Sequence, residues 1–293
     1  MKLCRYNDNR LGLVDLAAGE VADVSGALKL LPKASYPFPK HDVLIENLPK
    51  IRKEVLRLAK RAKRVKLSKV RLLPPVANPG KIIGAPINYK DHLAEANHDA
   101  QLSHGRDMKN AEIYKWGLFL KAGSALIGVS DTVAIRKPYT AMENRNDHEI
   151  ELVAVIGKRG NKIKYEDALK YVAGYSIGLD MTLRGPQFAG FRKSIDTYAV
   201  LGPWLVTSDE FGKPDDVALR ISVNNEPRQE SNTKHLIYDV AKLIEFASSF
   251  YTLHPGDLIY TGTPAGVGPV KAGDVMTAEI DRIGSIQVKV RDA

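Results

Sequence analysis

The chain has 293 residues, 44% hydrophobic and 26% charged, with a formal net charge of +9 and one cysteine. That is ordinary composition for a globular protein with ample core. Cys4 excludes an intrachain disulfide framework, and no apolar run approaches the roughly 18 residues of a membrane span. The polar start, Met1-Lys-Leu-Cys-Arg-Tyr-Asn-Asp, has no apolar leader core, so a cytoplasmic location is expected.

In chain order, short strands are expected at residues 1–6 and 10–15. Residues 51–71 then hold ten basic side chains against one acid, Glu54, as much excess charge as the whole chain carries. Ile51, Val55, Leu58, Ala59, Ala62 and Val65 recur within it at helical spacing, which predicts a surface helix with a basic outer face. Such a stripe can bind phosphate backbones or anionic lipid, yet no aromatic residue interleaves it for base stacking. A solvated face is expected, with neither nucleic acid nor membrane as partner.

The proline-rich stretch from Leu72 to Gly80 reads as a linker. It divides the chain into a small N-terminal α+β unit, 1–72, and a larger unit, 73–293. A strand is expected at 81–84, a helix at 90–97 and a long polar loop at 99–115, where His98, His104 and Arg106 are extra polar candidates. Strands then dominate, at 117–121, 132–135, 149–156, 172–179, 204–207 and 218–223. Asn224-Asn225 suits a hairpin turn. The clearest helix is 237–251, stopped by His254-Pro255-Gly256-Asp257, and strands resume at 257–261, 275–280 and 287–290. Few helices separate the strands, so a β-rich mixed α/β fold is expected.

Three carboxylates stand out. Glu149 and Glu151 head the apolar run Leu152-Val-Ala-Val-Ile156, and alternation in a strand puts both on one face. Asp180 ends a second run. Three oxygen donors without a cysteine or histidine cluster suit a hard divalent ion, Mg2+ or Mn2+. The spacing alone also allows carboxylates that face solvent or meet Lys and Arg.

His92 and Glu95, three apart on a helix, can hydrogen-bond as a water-activating pair or simply pair at the surface. Arg184, Gln187 and Lys193 follow Asp180 and could hold a carboxylate or a developing oxyanion, or belong to an ordinary surface loop. The stretch Thr261-Gly-Thr-Pro-Ala-Gly-Val-Gly268 matches no phosphate-loop pattern, and Pro264 lacks a donor. It reads as a tight turn lining a pocket, with Thr261 and Thr263 supplying hydroxyls. No Gly-x-Ser-x-Gly elbow is present.

Five motifs occur in order: Asn88-Tyr-Lys-Asp-His92-x-x-Glu95, Asp147-His-Glu149-Ile-Glu151-Leu, Lys193-Ser-Ile-Asp-Thr197, Leu201-Gly-Pro-Trp204 and the Thr261–Gly268 turn. Together they resemble the fumarylacetoacetate hydrolase family, in the branch with a small N-terminal domain, from about Lys81 onward. The resemblance implies a β-roll or barrel catalytic domain and a homodimer. It implies Mg2+ or Mn2+ on Glu149, Glu151 and Asp180, His92 and Glu95 activating water on a lid, and Lys193 at the reacting centre. It assigns Arg184, Gln187, Tyr89, Thr261 and Thr263 to a small 2-oxo or diketo acid substrate. The implied reaction is hydrolysis of a carbon–carbon bond in an acylpyruvate, with decarboxylation, hydration or isomerisation of a 2-oxo acid as the alternative. The chain departs from the family in having Leu179 where asparagine is common, and Gly185-Pro186 where aspartate is common after the arginine.

Overall fold

The computed structural model describes residues 1–99, 102, 112–136 and 145–293. Among these residues the chain forms the expected mixed α/β, strand-rich architecture, with three sheets and few helices. The largest sheet runs in spatial order through Arg64–Lys66, Glu20–Asp23, Arg10–Asp15, Lys2–Tyr6, Ala199–Thr207, Val172–Asp180, Ile150–Ile156, Leu258–Tyr260, Ile82–Gly84 and Phe119–Lys121. Its middle strands are unbroken apolar runs because both faces are covered. Leu152, Ala154 and Ile156 enter one buried cluster, and Val153 and Val155 enter the other. Leu3 pairs with Leu205, so the N-terminal strands extend this same sheet.

A second sheet orders Glu226–Asn232, Ala218–Val223, Val275–Ile280, Gly284–Asp292 and Thr132–Ile135. Asn224 and Asn225, at φ 52° and 69°, make the expected hairpin turn between the first two. A three-stranded sheet joins Thr182–Arg184, Arg145–His148 and Gly268–Pro269.

The basic segment is not one helix. A helix runs over Val43–Ala59, opened by Asp42, whose carboxylate accepts from the Ile45 N–H at 3.0 Å. It stops at Lys60, and Arg64–Lys66 is a strand beside Glu20–Asp23. The helical spacing overshoots because Val65, which continues it, pairs with Val21 across the sheet. The C-terminal helix is Val240–Phe250, three residues shorter at its start than the apolar pattern suggests. Asp239 caps it by accepting from the Lys242 N–H at 2.7 Å, which leaves Ile237 outside. The expected strand 149–156 runs over Ile150–Ile156, and a further strand not expected from the sequence, Arg145–His148, precedes it in a different sheet, with Glu149 at the break. Part of the 99–115 loop, His104 and Arg106 included, lies outside the described residues. Its end is helical, over Ile113–Trp116.

Candidate metal centre and active site

Register builds the acidic cluster. Ile150 lies opposite Leu179 and Glu151 opposite Gly178, so Glu151 shares a face with Asp180. The Asp180 N–H donates to the Glu149 carbonyl at 2.8 Å, which holds Glu149 across from Asp180 at the strand break. The outcome is three buried carboxylates whose oxygens lie within 4.8 Å of one another. A side chain at Gly178 would sit 2.5 Å from both the Tyr260 ring and Val153, so only glycine allows this packing opposite Glu151.

Like charges this close need cations between them. Lys193 Nζ donates to Glu149 Oε2 (2.7 Å), Asp180 Oδ2 (2.6 Å) and Thr182 Oγ1 (2.6 Å). Arg184 bridges Glu149 Oε1 at 2.6 Å and Asp147 Oδ2 at 2.7 Å. Lys121 pairs with the other oxygen of Asp180. Burial alone would raise the Glu149 carboxyl, but Lys193 and Arg184 outweigh it and hold it below the usual carboxylate range. Glu151 shows the opposite balance: burial, then Asp180 and Glu149, push it well above that range. Among the described residues its one hydrogen bond comes from the Gly262 N–H, at 2.6 Å.

The Thr261–Gly268 turn explains how that N–H is free. Beyond Tyr260 the backbone pairing between Leu258–Tyr260 and Ile150–Ile156 ends with one bond, from the Thr261 N–H to the Leu152 carbonyl at 3.2 Å. Threonine hydroxyls carry the pairing on, Thr261 Oγ1 donating to the Leu152 carbonyl (2.8 Å) and Thr263 Oγ1 to the Ile150 carbonyl (2.9 Å). Gly262, at φ 101°, then turns its N–H toward Glu151, a conformation that favours glycine. Gly266 likewise donates to Glu95 Oε1 at 3.0 Å. The other oxygen of Glu95 lies 2.8 Å from His92 Nδ1, on the helix Lys90–His98. Asn88, just before that helix, donates to the Thr261 and Tyr238 carbonyls at 2.7 and 2.8 Å and ties it to the same turn.

A cavity of about 110 Å³ opens over this assembly. His92, Glu149, Glu151, Arg184, Lys193 and Thr263 all line it, together with Phe119, Trp116, Leu102 and Arg192. Thr261 does not line it and spends its hydroxyl on Leu152. Tyr89 is buried behind it, its hydroxyl without a hydrogen-bond partner among the described residues. Gln187 is half-buried and off the lining, its backbone carbonyl accepting from Arg192 Nε at 2.7 Å.

Sequence reasoning missed Lys121, Asp147 and Arg192. Lys121 carried a signal: it closes the apolar run Leu118-Phe119-Leu120, and in the strand Phe119–Lys121 alternation turns it inward beside Phe119. Asp147 appeared only as part of a motif, yet it is fully buried and anchors Arg184.

The donor set fits a hard divalent cation. All three candidate ligands offer carboxylate oxygen, and Glu151 has no cationic partner among the described residues. Asp147 pairs with Arg145 and Arg184, Glu149 with Arg184 and Lys193, and Asp180 with Lys193 and Lys121, so among the described residues Glu151 alone of these buried carboxylates lacks a cation. A bound cation would supply the missing positive charge.

Comparison with known proteins agrees with this geometry. Residues 81–291 match the family described as Fumarylacetoacetate (FAA) hydrolase C-terminal. Maleylpyruvate hydrolase of Aquipseudomonas alcaligenes is 52% identical over 291 residues, spanning 99% of both chains. The 2,4-didehydro-3-deoxy-L-rhamnonate hydrolase of Sphingomonas sp. strain SKA58 is 34% identical over 313 positions, spanning all of this chain and 96% of that one. The crystal structure of maleylpyruvate hydrolase from Sphingobium sp. SYK-6, in complex with manganese(II) and pyruvate, superposes with a TM-score of 0.83 at 36% identity over the whole of both chains.

Proposed function

Because the chain belongs to the fumarylacetoacetate hydrolase family, we propose that it hydrolyses the carbon–carbon bond of an acylpyruvate such as maleylpyruvate, at a Mg2+ or Mn2+ ion held by Glu149, Glu151 and Asp180. The observation that carries this reading is the buried three-carboxylate cluster, two of whose members, Glu149 and Glu151, line one cavity together with His92. A divalent cation bound there would act as a Lewis acid toward the adjacent carboxylate and ketone of a 2-oxo acid.

The chain's own residues supply the rest. Glu95 on Nδ1 orients the His92 ring and fixes its tautomer, leaving Nε2 to take a proton from water. That water adds to the distal acyl carbonyl. As the carbon–carbon bond breaks, the electron pair moves to the pyruvate half, where Lys193 presents a fixed positive charge. The proton held by His92 completes the departing pyruvate. Arg184, Gln187, Tyr89, Thr261 and Thr263 are assigned to the substrate end; cavity lining supports Arg184 and Thr263 most directly.

The same reading includes a small N-terminal unit to residue 72, a cytoplasmic location and a homodimer. The family match beginning at Lys81 supports the first. The lone free thiol, Cys4, supports the second. The exposed Phe188 and Phe191 beside the cavity-lining Arg192 support the third. No described helix is long and apolar enough to cross a membrane.

The test is product analysis on metal-stripped protein with Mn2+ restored. Stoichiometric release of pyruvate and the acyl-derived acid supports hydrolysis; carbon dioxide or an isomerised substrate would replace it with the other 2-oxo acid chemistries.

A further inference from the structure

Strand Glu226–Asn232 is the edge of the second sheet, and six of its seven residues are exposed or half-exposed. Gln229 is the exception, at 2% exposure. Its amide uses all of its hydrogen-bonding capacity. Nε2 donates to Thr263 Oγ1 and to the Pro264 carbonyl, both at 2.7 Å. Thr263 gives its own hydrogen to Ile150 and Pro264 offers only an acceptor, so this orientation of the amide is fixed. Oε1 then accepts from the Ile150 N–H at 3.2 Å and faces His148 Nδ1 at 3.1 Å. That ring nitrogen therefore carries its hydrogen.

One side chain thus joins the backbone between Glu149 and Glu151 to the turn that serves both halves of the site. Ile150 is held on both sides, its N–H by Gln229 and its carbonyl by Thr263. Within the same turn, Gly262 donates to Glu151 and Gly266 to Glu95. The contact is close, since a side chain at Gly266 would come within 2.1 Å of the Arg228 carbonyl.

From this geometry we infer that Gln229 is a positioning residue for the reaction, setting together the placement of Glu151 at the cation and of Glu95 behind His92. The inference rests on the metal-dependent reading above. Partners that orient a ligand typically govern affinity or activity by about 10–100-fold.

Gln229→Met keeps the side-chain length and removes all four hydrogen bonds. The expected result is a folded protein whose Mn2+ dissociation constant, measured by calorimetry without substrate, rises about 10-fold or more. Its kcat falls by a similar factor, while KM changes less. Combining it with Thr263→Val adds little further loss of Mn2+ affinity, because both break one linkage to Ile150. Glu230→Ala, on the exposed side of the same strand, leaves all three quantities unchanged. Gln229→Glu, which keeps the bond from Ile150 but turns both donors into acceptors, gives the same weakening and decides the matter should the methionine variant not fold. Mn2+ affinity and kcat within twofold of the wild type in either folded variant would overturn the inference. Loss of cooperative folding in both would overturn it as well, since the amide would then hold the fold and not the site. A wild type that binds Mn2+ but turns over no acylpyruvate would defeat the functional reading alone, because the Mn2+ titration is read without turnover.

Discussion

Two regions of this molecule concentrate like charge, and they do opposite things with it. Residues 51–71 carry ten basic side chains. The fold scatters them over a helix end, a turn and a strand, and several form surface pairs: Arg52 with Asp209, Arg57 with Glu54, Arg64 with Asp15 and Arg71 with Asp131. The acidic cluster has only four carboxylates, but strand register brings three of them within 4.8 Å in the interior, where cations must be fixed among them. Charge density along a sequence is therefore a poor guide to a site. Convergence, with burial and an incomplete set of counter-charges, is a better one.

The sharpest way to press this contrast is to remove groups from the buried cluster. His92→Ala is expected to lower hydrolysis by about 10²–10⁴-fold, the usual contribution of general acid–base catalysis, with Mn2+ affinity retained. Steady-state kinetics paired with a Mn2+ titration checks it, and normal hydrolysis would remove His92 from the water-activating role. Lys121→Met breaks a buried ion pair with Asp180 and should destabilise the metal-free protein by about 3–5 kcal/mol, read by urea unfolding.

The cluster should also titrate on metal binding. In the metal-free protein burial, Asp180 and Glu149 raise the Glu151 carboxyl well above the usual carboxylate range, so below that raised pKa a bound cation must expel a proton. Mn2+ affinity should consequently rise with pH until the raised pKa is passed. Calorimetry in two buffers of different ionisation enthalpy should detect the released proton. The smallest effect is expected in the basic segment. Arg57→Ala and Lys66→Ala should each change stability by no more than about 1 kcal/mol and leave kcat unaltered.

Much of this was legible in the residues. Unbroken apolar runs bounded by glycine located the central strands, and the spacing of Glu149, Glu151 and Asp180 located the cluster. What stayed hidden depends on tertiary partners. Glu226–Asn232 has no β-branched or aromatic residue, so nothing local marks it as a strand; its pairing partner Ala218–Val223 does. Val65 satisfies a helical period and a strand pair equally, and the sheet takes it. Lys121 looks like the polar end of an apolar run until Asp180 is placed against it, about sixty residues along the chain. Thr261 looked like a pocket hydroxyl, whereas the fold spends it on the Leu152 carbonyl; Thr263 lines the cavity and also pairs with Ile150, and the turn points the glycine N–H groups inward.

The most direct measurement is maleylpyruvate cleavage by protein stripped of metal with a chelator and then titrated with Mn2+, alongside Glu151→Gln. The prediction is no cleavage without metal, maleate and pyruvate in equal amounts once Mn2+ is restored, and a variant that recovers neither Mn2+ affinity nor activity. Undiminished cleavage by the stripped protein, or by Glu151→Gln, would contradict a catalytic cation at the Glu149, Glu151 and Asp180 cluster.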